Sequence, residues 1–257
     1  MPALPHLDLA SLTGPEAAAA AAADVPVVVC VGATEQHGPH LPVGTDVILP
    51  VAVATEAARR IPLMVAPALT YGAHSRPLIG GGEGFPGTVS VRGAVLMPLL
   101  TQVLQGLARS GFRRLVVHNW HLENAGFLWE ACDLALAGRP ELRVLLIENP
   151  FPPFAAEQLA HMFPAGFEGW EREHASMVET SLMMVARPDL VRTDRIADDR
   201  SERYPSWDLL PPPDDYLTGS GVLAEPSRAS IELGERLWEA AVARLVEAVT
   251  TEFGPAS

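Results

Sequence analysis

Residues 25–31 read Val-Pro-Val-Val-Val-Cys-Val, apolar at every position and bounded by Asp24 and Gly32. A strand with one wet face alternates apolar and polar residues. A run without alternation belongs in a sheet covered on both faces, as parallel sheets are. Similar runs recur at 63–67, 115–118 and 142–147, with helical stretches between them, notably 91–110 and 124–137. This order predicts an α/β fold of three layers, α/β/α, around a mostly parallel central sheet. A chain of 257 residues with no internal repeat or linker suits a single domain spanning 1–257 with long functional loops.

The rest of the chain is less regular. Pro15 opens a helix through the alanine run 17–23, which Glu16 and Asp24 flank, and no basic segment precedes it as a secretory signal would need. Three prolines in 149–154 make that segment a loop. A helix is expected from about Glu173 to Ala186, stopped by Pro188, and another from Arg228 to Glu252. Residues 200–226, rich in Pro, Asp and Ser, are expected to wander over the surface.

Charge narrows the partners. The chain has 18 Lys+Arg against 31 Asp+Glu, a formal net charge of −13. That field repels phosphate backbones and anionic headgroups, so no nucleic-acid partner and no membrane surface are expected. No apolar run reaches the roughly 18 residues of a membrane span. Cys30 and Cys132 lie far apart inside apolar runs, as buried thiols of a reducing, cytoplasmic setting do.

Chemistry concentrates in two loops. Gly32-Ala-Thr-Glu-Gln-His-Gly-Pro-His-Leu-Pro-Val-Gly-Thr-Asp46 leaves the first buried strand and carries Glu35, His37, His40 and Asp46. Leu115-Val-Val-His-Asn-Trp-His-Leu-Glu-Asn124 leaves another and carries His121 and Glu123. Strand ends are where open α/β sheets place their sites. Residues two apart in extended backbone point the same way, so Glu35/His37 and His121/Glu123 can each aim two donors into one pocket. Imidazole with carboxylate suits Zn²⁺ or Mn²⁺, and Asp46 is the candidate bridge between two ions. Three carboxylates against two divalent cations leave one positive charge, which a bound hydroxide cancels; that hydroxide is the expected nucleophile. The glycine run 80–84 has neither a Gly-Lys-Ser/Thr ending nor a nearby cation, so it is no phosphate loop but a mobile loop over the site.

The Thr34-Glu-Gln-His-Gly-Pro-His-Leu-Pro-Val-Gly-Thr-Asp46 segment resembles the signature of the creatininase (creatinine amidohydrolase) family. Gly80–Thr88, His121–Asn124, Gly169-Trp-Glu-Arg-Glu-His174, Glu179–Met183 and Arg187–Val191 continue the resemblance, which runs from about residue 25 to the C-terminus. It implies two divalent ions per chain, Zn²⁺ and/or Mn²⁺. Glu35 and His121 would hold one, His37 and Glu123 the other, with Asp46 between them. His174 would move a proton from the attacking water to the leaving nitrogen, a task for a group titrating near neutrality. Glu123 and Glu173 are further candidate catalytic groups, and Trp170, Ser75 and Trp120 candidate substrate contacts. Glu179, five residues past His174, falls off its face on a regular helix and has either a buttressing role or none.

The implied activity is hydrolysis of a small cyclic amide, creatinine to creatine, in a homo-oligomer, hexameric by resemblance. Trp120 stands where the family usually has glycine, Leu122 where creatininases have tyrosine, and Glu148–Phe154 covers the segment of their second substrate-facing tryptophan. Small peptides of redox-cofactor precursors, formamides and cyclic ketones are therefore alternative substrates, and a non-catalytic metal-binding protein is the alternative class.

Overall fold

A computed structural model of the chain describes residues 8–164, 166–167 and 169–254; the outermost parts of the expected 1–257 domain lie outside these. In chain order the elements are α1 (Gly14–Ala22), β1 (Val27–Val31), α2 (Thr45–Arg60), β2 (Met64–Val65), α3 (Pro77–Gly80), α4 (Gly93–Arg109), β3 (Arg114–Asn119), α5 (Ala125–Leu136), β4 (Arg143–Ile147), α6 (Ala156–Met162), α7 (Met177–Ala186) and α8 (Ile231–Phe253). The four strands form one sheet in the order β2-β1-β3-β4, every pair parallel. Val29 lies opposite Val117, and Val116 opposite Leu145.

Successive strand residues feed two different cores. Val28, Cys30 and Val116 face α2, α7 and α8, where Leu49, Val53, Leu182, Leu237 and Leu245 are buried. Val27, Val29, Val31, Leu115 and Val117 face α1, α4 and α5, packing with Leu96, Leu100, Leu104 and Leu128. Both faces are covered, which is why β1 carries no polar alternation. Both cysteines are buried and unpaired, and burial pushes each thiol up to about 12.

The layering also fixes where a site can form. The chain leaves β1 toward α2 on one face, but leaves β3 toward α5 on the other. The loops after these adjacent strands diverge, and the crevice between them lies at the carboxyl edge of the sheet.

Three local expectations differ from the structure. α7 starts at Met177 rather than near Glu173, because Ala175 takes a left-handed φ of 50° and Ser176 is extended. The 63–67 run is in register with β1 only at Met64 and Val65. The Ala66 N–H still reaches the Val28 carbonyl, and the next donor to β1 is Leu69, at the Cys30 carbonyl, so the strand ends in an irregular step. The 200–226 segment does not stay on the surface: Tyr216, Val222 and Leu223 are buried. Among the described residues no helix is long and apolar enough to cross a membrane.

Candidate metal centre

The loop after β1 is held by its backbone. Glu35 N–H donates to the Val43 carbonyl, and Gln36 N–H to Thr88 Oγ of the glycine-rich segment. Asp46 follows in the first turn of α2, where the helix N-terminus favours a carboxylate. The loop after β3 is held by two buried asparagines. Asn119 takes the His121 N–H and gives its own to the His121 carbonyl, and Asn124 donates to the Gly32 carbonyl and to Asn119.

These loops bring four predicted residues together. His121 Nδ1 lies 3.2 Å from Glu35 Oε2 and 3.4 Å from Asp46 Oδ2. His37 Nε2 lies 3.1 Å from Asp46 Oδ1 and 3.5 Å from Glu179 Oε2. Asp46 thus faces one imidazole with each oxygen. Both rings are locked from behind: His37 Nδ1–H donates to the Glu35 carbonyl and His121 Nε2–H to the Ala73 carbonyl, each at 3.0 Å. The bare nitrogens therefore point at carboxylates, lone pair against lone pair. Such an arrangement needs a cation between them, and carbonyl-anchored imidazoles are the usual support of metal ligands.

The orphaned atoms agree with that need. Glu35 Oε1 and Oε2 and Asp46 Oδ2 are buried without a hydrogen-bond partner, a costly state for carboxylate oxygens. Glu35, Asp46 and His121 form one group whose ligand atoms lie within 4.8 Å of one another, and His37, Asp46 and Glu179 form another. Protonation reflects the crowding. Burial pushes the Glu35 carboxyl up, to about 7, against the pull of His121. Burial also opposes charge on His37 and His121, but Asp46 and Glu179 for the first, and Glu35 and Glu123 for the second, outweigh it and raise both rings well above their ordinary range. A proton fills the gap that the donor set offers to a divalent ion.

Glu123 sits elsewhere than the expected pairing with His37. Its Oε2 lies 3.5 Å from His121 Nε2, on the far edge of that ring, and its Oε1 accepts the Arg76 N–H. The carboxylate beside His37 is that of Glu179. The left-handed Ala175 turns the chain before α7, and its N–H donates to Glu179 Oε2 at 2.6 Å. His174 and Glu179 therefore both face the centre, although a continuous helix would separate them.

His174 is buried, its ring 4.4 Å from that of His37. Its Nε2 lies 2.8 Å from the Gln36 carbonyl and 3.0 Å from the Gln36 side-chain amide nitrogen. That amide gives its hydrogens to Gly80 and Gly221, so Nε2–H is the donor to the Gln36 carbonyl. Nδ1 is the bare nitrogen, 3.8 Å from Glu35 Oε2. Burial, with His37 adding to it, holds this ring well below the usual histidine range. Glu173 accepts the Val178 N–H at the start of α7. His40 takes no part in the centre: its Nε2 meets Thr180 Oγ at 2.8 Å, and burial pushes it down to about 4. Ser75 is buried and accepts the Gly82 N–H, so it ties down the glycine-rich loop.

Gln36 is a residue that its sequence position does not single out. Its carboxamide donates to the carbonyls of Gly80 and Gly221 and accepts the Gly38 N–H. A Cβ on Gly221, whose φ is +83°, would come within 1.9 Å of Gln36 Oε1. A Cβ on Gly80 would lie 2.1 Å from Glu35 Oε1. Glycine is what lets both loops close on the centre.

A cavity of about 90 Å³ opens beside these groups, and Trp120, Leu122, Phe151, Trp170, Glu173 and His174 are among the residues lining it. The family model for creatininase, creatinine amidohydrolase, matches residues 10–249. The creatinine amidohydrolase of Pseudomonas putida is 40% identical over 243 residues, covering 91% of this chain and 92% of that protein. The mycofactocin precursor peptide peptidase of Mycobacterium tuberculosis (strain CDC 1551 / Oshkosh) is 32% identical over 231 residues, covering 84% and 81%. A solved creatininase with Mn superposes with a TM-score of 0.90 at 38% identity, and a mutant creatininase of Zn–Zn type with 0.91 at 37%. Each comparison covers 97% of this chain and 99% of the other.

Proposed function

The chain belongs to the creatininase family of hydrolases acting on C–N bonds, and from that premise we propose that it opens a small cyclic amide, creatinine to creatine, using two divalent ions. The observation that carries this reading is the pair of carbonyl-anchored imidazoles whose bare nitrogens face Glu35, Asp46 and Glu179. Glu35 and His121 would hold one ion and His37 and Glu179 the other, with Asp46, which faces both imidazoles, available to each. The Mn and Zn–Zn relatives make those two metals the natural occupants. Bound ions supply Lewis acidity, which polarises a carbonyl and brings the pKa of water toward neutrality.

The chain's own groups handle the proton. Hydrolysis adds water oxygen to the carbonyl carbon and breaks the C–N bond, so one proton must travel from the water to the departing nitrogen. His174 presents Nδ1 toward the centre and is neutral there, as a base must be. Glu123 borders the same cavity and is a second group able to hold that proton. Trp170 and Trp120 are assigned to the substrate's flat part. The 90 Å³ cavity is well below the few hundred Å³ of a drug-sized site, which favours a single small ring over an extended chain.

A second reading, cleavage of a short peptide, is favoured by the mycobacterial peptidase relatives. Proton NMR of creatinine with Mn²⁺- or Zn²⁺-loaded protein separates the two. Metal-dependent appearance of creatine, absent with the chelated protein and with Asp46→Asn, is expected. A loaded wild-type protein that leaves creatinine intact would sink the cyclic-amide reading and move the search to peptides.

A further inference from the structure

Trp120 borders the cavity immediately before His121. Its indole N–H donates to His118 Nε2 at 3.0 Å, and the two rings meet edge to face with centroids 5.7 Å apart. Accepting at Nε2 places the His118 proton on Nδ1, which is buried without a partner. Burial pushes His118 down to about 3, so the acceptor persists throughout the neutral range. A buried group left half-satisfied is a standing cost to the fold. Its return is an indole that cannot rotate and has no N–H left for a ligand.

Phe151 supports that indole from the other side. Its centroid lies 6.1 Å from Trp120, and it stacks on Trp170 at 5.1 Å with planes 22° apart. A flat molecule held between two rings needs about 7 Å, twice an ordinary carbon contact, so nothing enters between Phe151 and Trp170. Phe151 is 6% exposed. It is a wedge that sets the angle between two half-buried tryptophans, and these supply the exposed aromatic surface. Three of the lining carboxylates, Glu35, Asp46 and Glu179, are assigned to the ions; Glu123, Glu148 and Glu173 line the cavity besides, and no lysine or arginine does so among the described residues. Electron-rich faces beside carboxylates attract flat, delocalised positive charge and repel a second anion.

We propose that Trp120, fixed by His118 and wedged by Phe151, is a specificity-determining residue that selects flat rings of neutral or delocalised positive charge. The proposal rests on the small-amide hydrolase reading only for where the scissile bond lies. Its test is calorimetric titration of the metal-loaded protein with benzamidine, a flat delocalised cation, and with benzamide, its neutral match. The wild-type protein is expected to bind benzamidine more tightly than benzamide. Trp120→Ala should weaken benzamidine about fivefold or more, and Trp120→Phe less, within the range of an aromatic–cation contact. Metal content should stay unchanged in both variants, and Trp120→Phe carries the test if the alanine variant does not fold.

Benzamidine affinity within about twofold of wild type in the variants, or no benzamidine binding by wild type, overturns the proposal. Creatinine turnover on the same samples keeps the two readings apart. Trp120-dependent benzamidine binding without turnover leaves the wall and removes creatinine. Turnover with Trp120-indifferent binding and KM removes the wall and leaves the hydrolase.

Discussion

Gln36 stands between two assigned ligands in sequence, yet its side chain turns away from them to join three segments. Both amide hydrogens and the amide oxygen are engaged, and its main-chain carbonyl holds His174 Nε2–H. Gln36→Leu would strip partners from two buried carbonyls and one N–H, each worth about 1–3 kcal/mol when left unsatisfied. The expected result is a lower melting temperature and a kcat reduced about tenfold or more, with bound metal unchanged, because no ligand atom is touched. Wild-type kcat with unaltered melting in this variant would remove Gln36 from the positioning of His174. Glu35, His37 and His121 are readable in the sequence because two-residue spacing at strand ends aims donors into one crevice, and Asp46 because it is the carboxylate that closes the same loop, in the first turn of α2. Glu179 is not readable that way. Its approach to His37 depends on the left-handed turn at Ala175, a non-glycine residue that gives no sign of such a conformation. Gln36 is hidden for another reason, since its partner Gly221 lies 185 residues away.

At the scale of whole elements, two glycines in helices make opposite predictions. Gly234 lies in α8 where it crosses α7, and a Cβ there would sit 2.1 Å from the Ser181 carbonyl oxygen. Alanine gains about 1 kcal/mol of helix propensity over glycine, but overpacking costs about 1–3 kcal/mol, and the obstacle here is backbone. Gly106 in α4 has only the far end of Arg109 within 4 Å, at 3.6 Å. Gly106→Ala is therefore expected to raise the melting temperature by about 2–4 °C, the shift for roughly 1 kcal/mol in a domain of this size. Gly234→Ala should lower it, and should lower kcat as well, because α7 carries Glu179 and follows His174. Calorimetry of both variants checks the pair, and a stabilised Gly234→Ala would show that the two helices separate easily. The helices and strands themselves are legible because apolar runs and periodicity are local properties. The 200–226 segment is not, because too few apolar residues mark it. Val222 and Leu223 are buried next to Gly221, whose carbonyl accepts from Gln36, a contact 185 residues apart in sequence.

Taken as a whole, the molecule buries a charge problem at the carboxyl edge of its sheet and solves it with protons or with metal. Without metal, the protons sit on Glu35, held up to about 7, and on His37 and His121, raised well above their ordinary range. All three bind protons more tightly folded than unfolded, so they stabilise the fold at low pH. That contribution is lost as pH rises through the folded values, beginning above the unfolded values of about 4.5 for the carboxyl and 6.5 for the imidazoles. His118 and His40, pushed down to about 3 and 4, and His174, held well below its ordinary range, run the other way. They weaken the fold as pH falls through about 6.5, where the unfolded histidine is half protonated and the folded rings are not. Above about pH 7.5 these rings are neutral in both states. The two buried thiols, held up near 12, weaken the fold as unfolded thiols ionise toward about pH 8.5, but equally with and without metal, so the gap between the two forms reports the centre. Metal binding has the opposite dependence, since the ligands must give up those protons. A bound ion adds stability as the logarithm of its concentration over its dissociation constant, about 4 kcal/mol at a thousandfold excess. The chelated protein should therefore melt progressively lower from pH 6.5 to 8.5 while the Zn²⁺- or Mn²⁺-loaded protein holds steady or rises, so the gap widens with pH. Replacing Asp46, which faces both imidazoles, with Asn should shrink that gap at every pH, even where no substrate is present. A gap that stays constant or narrows as pH rises would mean that the ions bind outside this buried cluster.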